Sequence, residues 1–90
     1  MYTVTYHYLV KRDDIPALPN EWKQKIRSAI EERLATHPDL YGKPLRRSLK
    51  GYRKLRVGDY RVLFSIKKKT IKILIIKHRS AVYIQAEKRI

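Results

Sequence analysis

The sequence predicts a small α+β fold, and three observations carry that prediction. The opening segment "MYTVTYHYLV" alternates and is rich in Thr, Val and Tyr, as a strand is. Trp22, Ile26, Ala29, Ile30 and Leu34 recur three and four residues apart, the spacing of one apolar helix stripe. From residue 52 onward, three β-type segments are joined by connections too short for a helix, so their pairing is antiparallel. Ninety residues bound the chain to one domain, residues 1–90. A domain of this size buries only about 60% of its unfolded surface, so the core is thin.

Taken in order, the first strand is expected at about 2–9. "KRDDIPALP" follows, a short helical or turn segment broken by Pro16 and Pro19, with Asp13 and Asp14 as ordinary charges near a helix start. Asn20 is positioned to cap a helix of about 20–36, which Pro38 stops. Residues 11–36 together predict a helical hairpin with one apolar face. "HPDLYGKPLRRSLK" reads as a loop, with Gly42 and Pro44 as breakers. Strands are expected at about 52–57, 60–66 and 71–77, an antiparallel meander. "SAVYIQAEKRI" closes the chain as a short helix capped by Ser80.

Gly58-Asp59 fits a two-residue type II′ turn, with Gly at the position that needs positive φ. That turn sets Val57 opposite Tyr60, Arg56 opposite Arg61, Leu55 opposite Val62 and Arg53 opposite Phe64. Opposed residues share a face. Leu55, Val57, Tyr60, Val62, Phe64 and Ile66 therefore form one apolar face for the helix stripe. The other face collects Tyr52, Lys54, Arg56, Arg61, Leu63 and Ser65. A second two-residue turn at Lys68-Lys69 adds Lys72, Leu74 and Ile76 to it. Like charges on one face are a local cost, and such costs concentrate at functional sites. The apolar half of this face, Leu63, Leu74 and Ile76, needs a cover, either the C-terminal helix or a partner.

Charge sharpens the picture. The net charge is +14, yet residues 1–40 hold six Lys/Arg against six Asp/Glu. The excess lies wholly in residues 41–90, where only Asp59 and Glu87 are acidic. So lopsided a field favours a polyanionic partner, and tyrosines interleaved with cations can stack on bases. There is no cysteine, so neither a disulfide nor a Cys-based metal site is expected, which suits the reducing cytoplasm. Three scattered histidines without paired acids predict no metal and no cofactor. The start of the chain does not read as a signal peptide, and the longest apolar run, "ILII", predicts no membrane span.

"YGKPLRRSLKGYRKLRVGDYRVLFSI", followed by "HRSAVY", resembles the RelE/ParE superfamily of bacterial and archaeal toxins. The resemblance covers essentially the whole chain and implies a RelE-like fold: N-terminal strand, helical hairpin, three antiparallel strands, short C-terminal helix. It implies an mRNA interferase, a ribosome-dependent endoribonuclease that cleaves mRNA in the A site and is silenced by a cognate antitoxin. By position it makes Lys54, Arg61, Arg79 and Tyr83 the catalytic set. Some members carry a second lysine two positions before the first; here that position is Tyr52, with Arg53 beside it.

The residues support such chemistry without the name. RNA cleavage without metal needs a base for the 2′-OH proton, cations for the phosphate oxygens, and an acid for the 5′ oxygen. Arg61 and Arg56 offer planar forks of donors to a phosphate. Lys54 is the candidate base, Arg79 a stabiliser of the leaving group, and Tyr83 or His78 the candidate proton relay. Arg46, Arg47, Lys50, Tyr52, Arg53 and Arg56 are the expected nucleic-acid contacts, with His78 beside them. Leu63, Leu74 and Ile76 are the expected contact for an acidic, helical antitoxin segment. Two other readings explain the charge: a ParE-like inhibitor of DNA gyrase, and a basic nucleic-acid-binding module that cleaves nothing.

Overall fold

The computed structural model describes all residues, 1–90. Strand β1, Thr3–Tyr6, leads to a π-helical turn, Val10–Asp14, that runs into one α-turn, Ile15–Ala17; together these form α1. Helix α2 spans Asn20–Ala29 and continues as a π-helical turn, Ile30–Leu34. A short α3, Pro38–Tyr41, precedes β2, Lys43–Pro44, and a 3₁₀ turn, Arg47–Leu49. Then come β3, Arg53–Val57, β4, Tyr60–Lys67, β5, Thr70–His78, and α4, Val82–Glu87.

The α+β class, the helical hairpin and the meander agree with the sequence reading. The sheet is larger than expected, with five strands in the order β1-β5-β4-β3-β2. β1 runs parallel to β5, and the other pairs are antiparallel. The segment 43–44, read as loop, adds an edge strand that sets Lys43 opposite Lys54. Pro44 is tolerated there because an edge strand leaves one row of N–H groups unpaired. Two expected caps are not formed. Pro19 is the N-cap of α2 and Ala81 of α4, neither with a side-chain cap bond. The Ser80 hydroxyl instead lies 2.9 Å from His78 Nδ1.

The hairpin register is the one the Gly58-Asp59 turn demands, from Val57↔Tyr60 to Arg53↔Phe64. Gly58 has φ +59°, and a Cβ there would stand 2.3 Å from Trp22 Cη2, so conformation and space both require glycine. Leu55, Val62 and Phe64 face the α2 stripe of Ile26, Ala29, Ile30 and Leu34, and with Val10, Leu18, Ile71, Ile73 and Ile76 they form the larger core. The opposite face carries a smaller core, Leu49, Leu63, Leu74, Ile75, Val82 and Ala86, under α4 and the 3₁₀ turn.

One irregularity overturns part of the predicted face assignment. Lys67↔Thr70 through Phe64↔Ile73 follow the expected register, but Leu63 then pairs with Ile75, and Leu74 has no partner. This bulge changes the alternation of β5, as one extra residue must. Leu74 and Ile75 both join the α4 side, and Ile76 moves to the core under α2. Leu63, Leu74 and Ile76 are 0, 3 and 2% exposed. The expected partner-facing patch is therefore covered by the chain itself: Leu63 and Leu74 by α4, and Ile76 from the other face.

Candidate functional site

The β3–β4 hairpin positions the cationic face. Lys54 and Arg56 alternate with Leu55 on β3, so both project away from the larger core. Arg61 stands opposite Arg56 on one side and Lys77 on the other, which lines three cations across β3, β4 and β5. The Arg61 guanidinium donates to the carbonyl oxygens of Gly58 and Tyr60, both at 2.9 Å. Lys54 Nζ lies 5.9 Å from the centre of the Tyr83 ring, which α4 brings to the face. Tyr83 and Tyr52 are half-buried against the smaller core. The strand gap in sequence that separates Lys54 from Tyr83 is closed by α4 folding back over Leu63 and Leu74.

Lys54, Arg56 and Arg61 have no carboxylate partner; the chain's ion pairs involve Arg12, Arg27, Lys77, Arg79 and Arg89. Arg46, Arg47 and Lys50 are exposed and also unpaired with acid. They lie in the loop whose 3₁₀ turn packs against α4. Arg47 has φ +58°, a left-handed conformation that costs a non-glycine residue about 1–2 kcal/mol.

Other expected site residues are placed differently. Arg53 lies on the α2 side of the sheet and donates from Nη1 to the Gly42 carbonyl at 3.1 Å, a structural contact. His78 sits edge-on to Tyr60 at 5.8 Å, and Tyr60 in turn contacts Trp22 at 5.2 Å. Its Nδ1 is taken up by Ser80, so it belongs to the turn after β5 rather than beside Lys54. Arg79 is anchored at the hairpin tip, its amide donating to the Asp59 carbonyl at 2.8 Å and its Nε 3.8 Å from the Asp59 carboxylate. That ion pair is exposed on both sides, so the guanidinium is held only weakly.

Sequence reasoning missed two features. Lys43 stands opposite Lys54 and supplies a further cation at the strand edge. Asp14, read with Asp13 as an ordinary charge near a helix start, is buried. Only Asp13 fits that reading, exposed and paired with Arg12 at 2.9 Å. Asp14 receives the Ile76 N–H at 3.0 Å and two Arg89 bonds at 2.7 and 2.8 Å, with Lys77 Nζ at 3.3 Å. Burial alone would push its carboxyl up; the Arg89 and Ile76 hydrogen bonds and the charges of Arg89 and Lys77 outweigh it and hold the carboxyl below the usual range. The signal was present: Val10, Asp14 and Leu18 are spaced by four, which puts a carboxylate on an apolar stripe.

A five-stranded sheet with a helical hairpin on one face, and an acid-free cationic hairpin beside a helix-borne tyrosine on the other, is the frame of a small basic toxin. The family model described as ParE toxin of the type II toxin-antitoxin system, parDE, matches residues 4–83, and the chain belongs to that family, within the RelE/ParE superfamily. Among solved structures, a chain of the RelBE2 toxin-antitoxin complex of Mycobacterium tuberculosis is 34% identical, with TM-score 0.80, over 88% of this chain and 92% of that one. A chain of the RelB-RelE complex of Methanococcus jannaschii is 23% identical, with TM-score 0.70, over 88% and 94%. YafQ of E. coli is 21% identical, with TM-score 0.57, over 92% and 99%. The last two show the shared fold. A comparison with curated proteins finds no match. No helix is long and apolar enough to cross a membrane.

Proposed function

We propose that this type II toxin is a ribosome-dependent endoribonuclease that cleaves mRNA in the A site. The observation that carries the reading is the acid-free face on which Lys54, Arg56 and Arg61 stand together with Tyr83. In the proposed reaction the 2′ oxygen attacks the adjacent phosphorus and the P–O5′ bond breaks. Lys54 is the group assigned to the 2′-OH proton. Arg61 and Arg56 hold the non-bridging oxygens as charge builds, and Arg79, released from Asp59, meets the leaving oxygen. With His78 turned to Ser80 and Tyr60, the proton for the 5′ oxygen is assigned to the Tyr83 phenol. Arg46, Arg47 and Lys50 contact phosphates and carry no sequence preference.

The partner proposed for silencing is an antitoxin with an acidic, helical segment, consistent with the net charge of +14. Relatives of known structure are described as toxin-antitoxin complexes. Leu63 and Leu74 could meet such a segment only after α4 is displaced.

Primer extension on an mRNA translated in a purified system tests the reading, with wild type and Arg61→Ala, with and without ribosomes. Cuts at A-site codons that need both ribosomes and Arg61 are expected. The match to the ParE family favours gyrase inhibition as the second reading. A folded wild type that cuts nothing yet blocks gyrase supercoiling would replace the first reading with the second.

A further inference from the structure

Beyond residue 73 the outer edge of β5 has lost its neighbour, because β1 ends at Tyr6↔Ile73. The carbonyl of Leu74, the bulged residue, and the Ile76 N–H would face that edge unpaired. Asp14 accepts the Ile76 N–H, and Arg89 Nη1 donates to the Leu74 carbonyl at 3.1 Å. Asp14 and Arg89 are joined to one another by two further bonds. This side-chain pair thus takes the place of a missing strand. Its side chains are 0 and 8% exposed, far drier than the chain's other arginine–carboxylate pairs.

The same pair also holds α4. That helix has six residues, about half the length at which a helix becomes marginally stable alone. Two small side chains one turn apart, Val82 and Ala86, anchor it to the smaller core. Arg89 lies three residues further along the same face and is its only side-chain hydrogen-bond tether, reaching across the sheet edge to α1. Tyr83 sits on the shoulder of this stripe. Without that tether α4, held by Val82, Ala86 and the half-buried flank of Tyr83, could roll about its axis and carry the Tyr83 ring away from Lys54.

We propose that Asp14 and Arg89 are positioning residues for the candidate site: their buried ion pair pins the C-terminal end of α4 and so holds Tyr83 against Lys54. The docking claim stands on geometry; its consequence for cleavage rests on the function proposed above. The contacts of the pair are with one another, Lys77 and the backbone of Leu74 and Ile76, so neither is assigned a part in the chemistry, and the effect is one of orientation.

Amide hydrogen exchange and single-turnover cleavage test it together, on the full chain carrying Asp14→Asn, Arg89→Gln or Arg89→Lys. Arg89→Gln leaves Asp14 beside Lys77, so its sheet is expected to survive even where Asp14→Asn fails to fold. In Arg89→Gln, amides of residues 83–87 are expected to exchange at least tenfold faster, while those of Val62 to Phe64 change less than threefold. The cleavage rate at saturation is expected to fall at least tenfold, with half-saturation within twofold of wild type. Arg89→Lys, which keeps the charge and loses the fork, is expected to recover part of both. Unchanged protection of α4 in Arg89→Gln would overturn the proposal, and so would equal loss of protection in α4 and β4. A wild type that cleaves nothing overturns the cleavage reading alone, since the exchange experiment still decides the pin.

Discussion

Asp14 and Arg89, 75 residues apart in sequence, meet through two hydrogen bonds of 2.7 and 2.8 Å inside the protein. The pair joins the helical hairpin to the end of the chain across the edge of β5. A buried ion pair adds little relative to apolar packing, but removing one partner strands a buried charge. Asp14→Ala leaves Arg89 and Lys77 facing each other with no carboxylate between them. It is expected to destabilise the fold by about 3–5 kcal/mol. Urea unfolding checks this, and a loss below 1 kcal/mol would contradict the assignment.

The same carboxylate makes stability depend on acid. Its pKa is held below the usual range in the folded chain, against about 3.9 when unfolded. A depressed carboxyl favours the folded state fully above the unfolded value, and that contribution is lost as pH falls through the folded value. Wild type should therefore lose stability below about pH 4 more steeply than Asp14→Asn, which has no proton to take up there. Urea midpoints at pH 6, 4 and 3 for both proteins give the comparison. Parallel curves would count against it.

Gly58 ties the hairpin to α2 through Trp22. Alanine at this position meets the indole at 2.3 and 2.7 Å and must hold φ +59°. Gly58→Ala is expected to cost about 1–3 kcal/mol, the range for strain of this kind. Trp22 fluorescence should shift with it, since the ring must move. Thermal melts followed by that emission measure both effects, and a variant as stable as wild type would mean that the turn relaxes at no cost.

What the sequence revealed follows from which constraints are local. The Gly58-Asp59 turn fixes its register within two residues, so the pairing of Arg56 with Arg61 was readable. The bulge at Leu63/Phe64 is set by tertiary packing of Leu74 and Ile75 under α4. No turn residue announces it, so Ile76 was assigned to the wrong face. Lys43–Pro44 pairs only because β3 offers an edge, and proline hides such a strand from propensity. The cationic face was legible because it violates a charge rule locally. The bond of Arg53 to the Gly42 carbonyl was not legible, because that partner is a backbone group invisible in a residue pattern.

Tyr83 separates stacking from proton transfer. Tyr83→Phe keeps the ring near Lys54 and removes the hydroxyl. If the phenol protonates the 5′ oxygen, the single-turnover rate should fall about 10²–10⁴-fold, the usual worth of a general acid, with little change in ribosome binding. Tyr83→Ala should also weaken binding, because a stacking surface is lost. Rapid-quench cleavage with a defined A-site codon measures the rate. A Phe variant within threefold of wild type would remove the phenol from the mechanism and leave Tyr83 a stacking role.

Arg61 separates catalysis from attraction. It is one cation among the 22 Lys and Arg residues of the chain, so its share of long-range attraction is small. Its place between Arg56 and Lys77, with no acid beside it, is what the phosphate-binding role depends on. Arg61→Ala should abolish cleavage yet lower the slope of log K against log salt by only about one phosphate contact, roughly 0.7 for a single strand. RNA binding measured at several salt concentrations, beside cleavage of the same RNA on the ribosome, tests both statements. A loss of cleavage matched by an equal loss of affinity would mean that Arg61 serves binding alone, and the phosphate at the reacting centre would need another holder, with Arg56 the next cation in register.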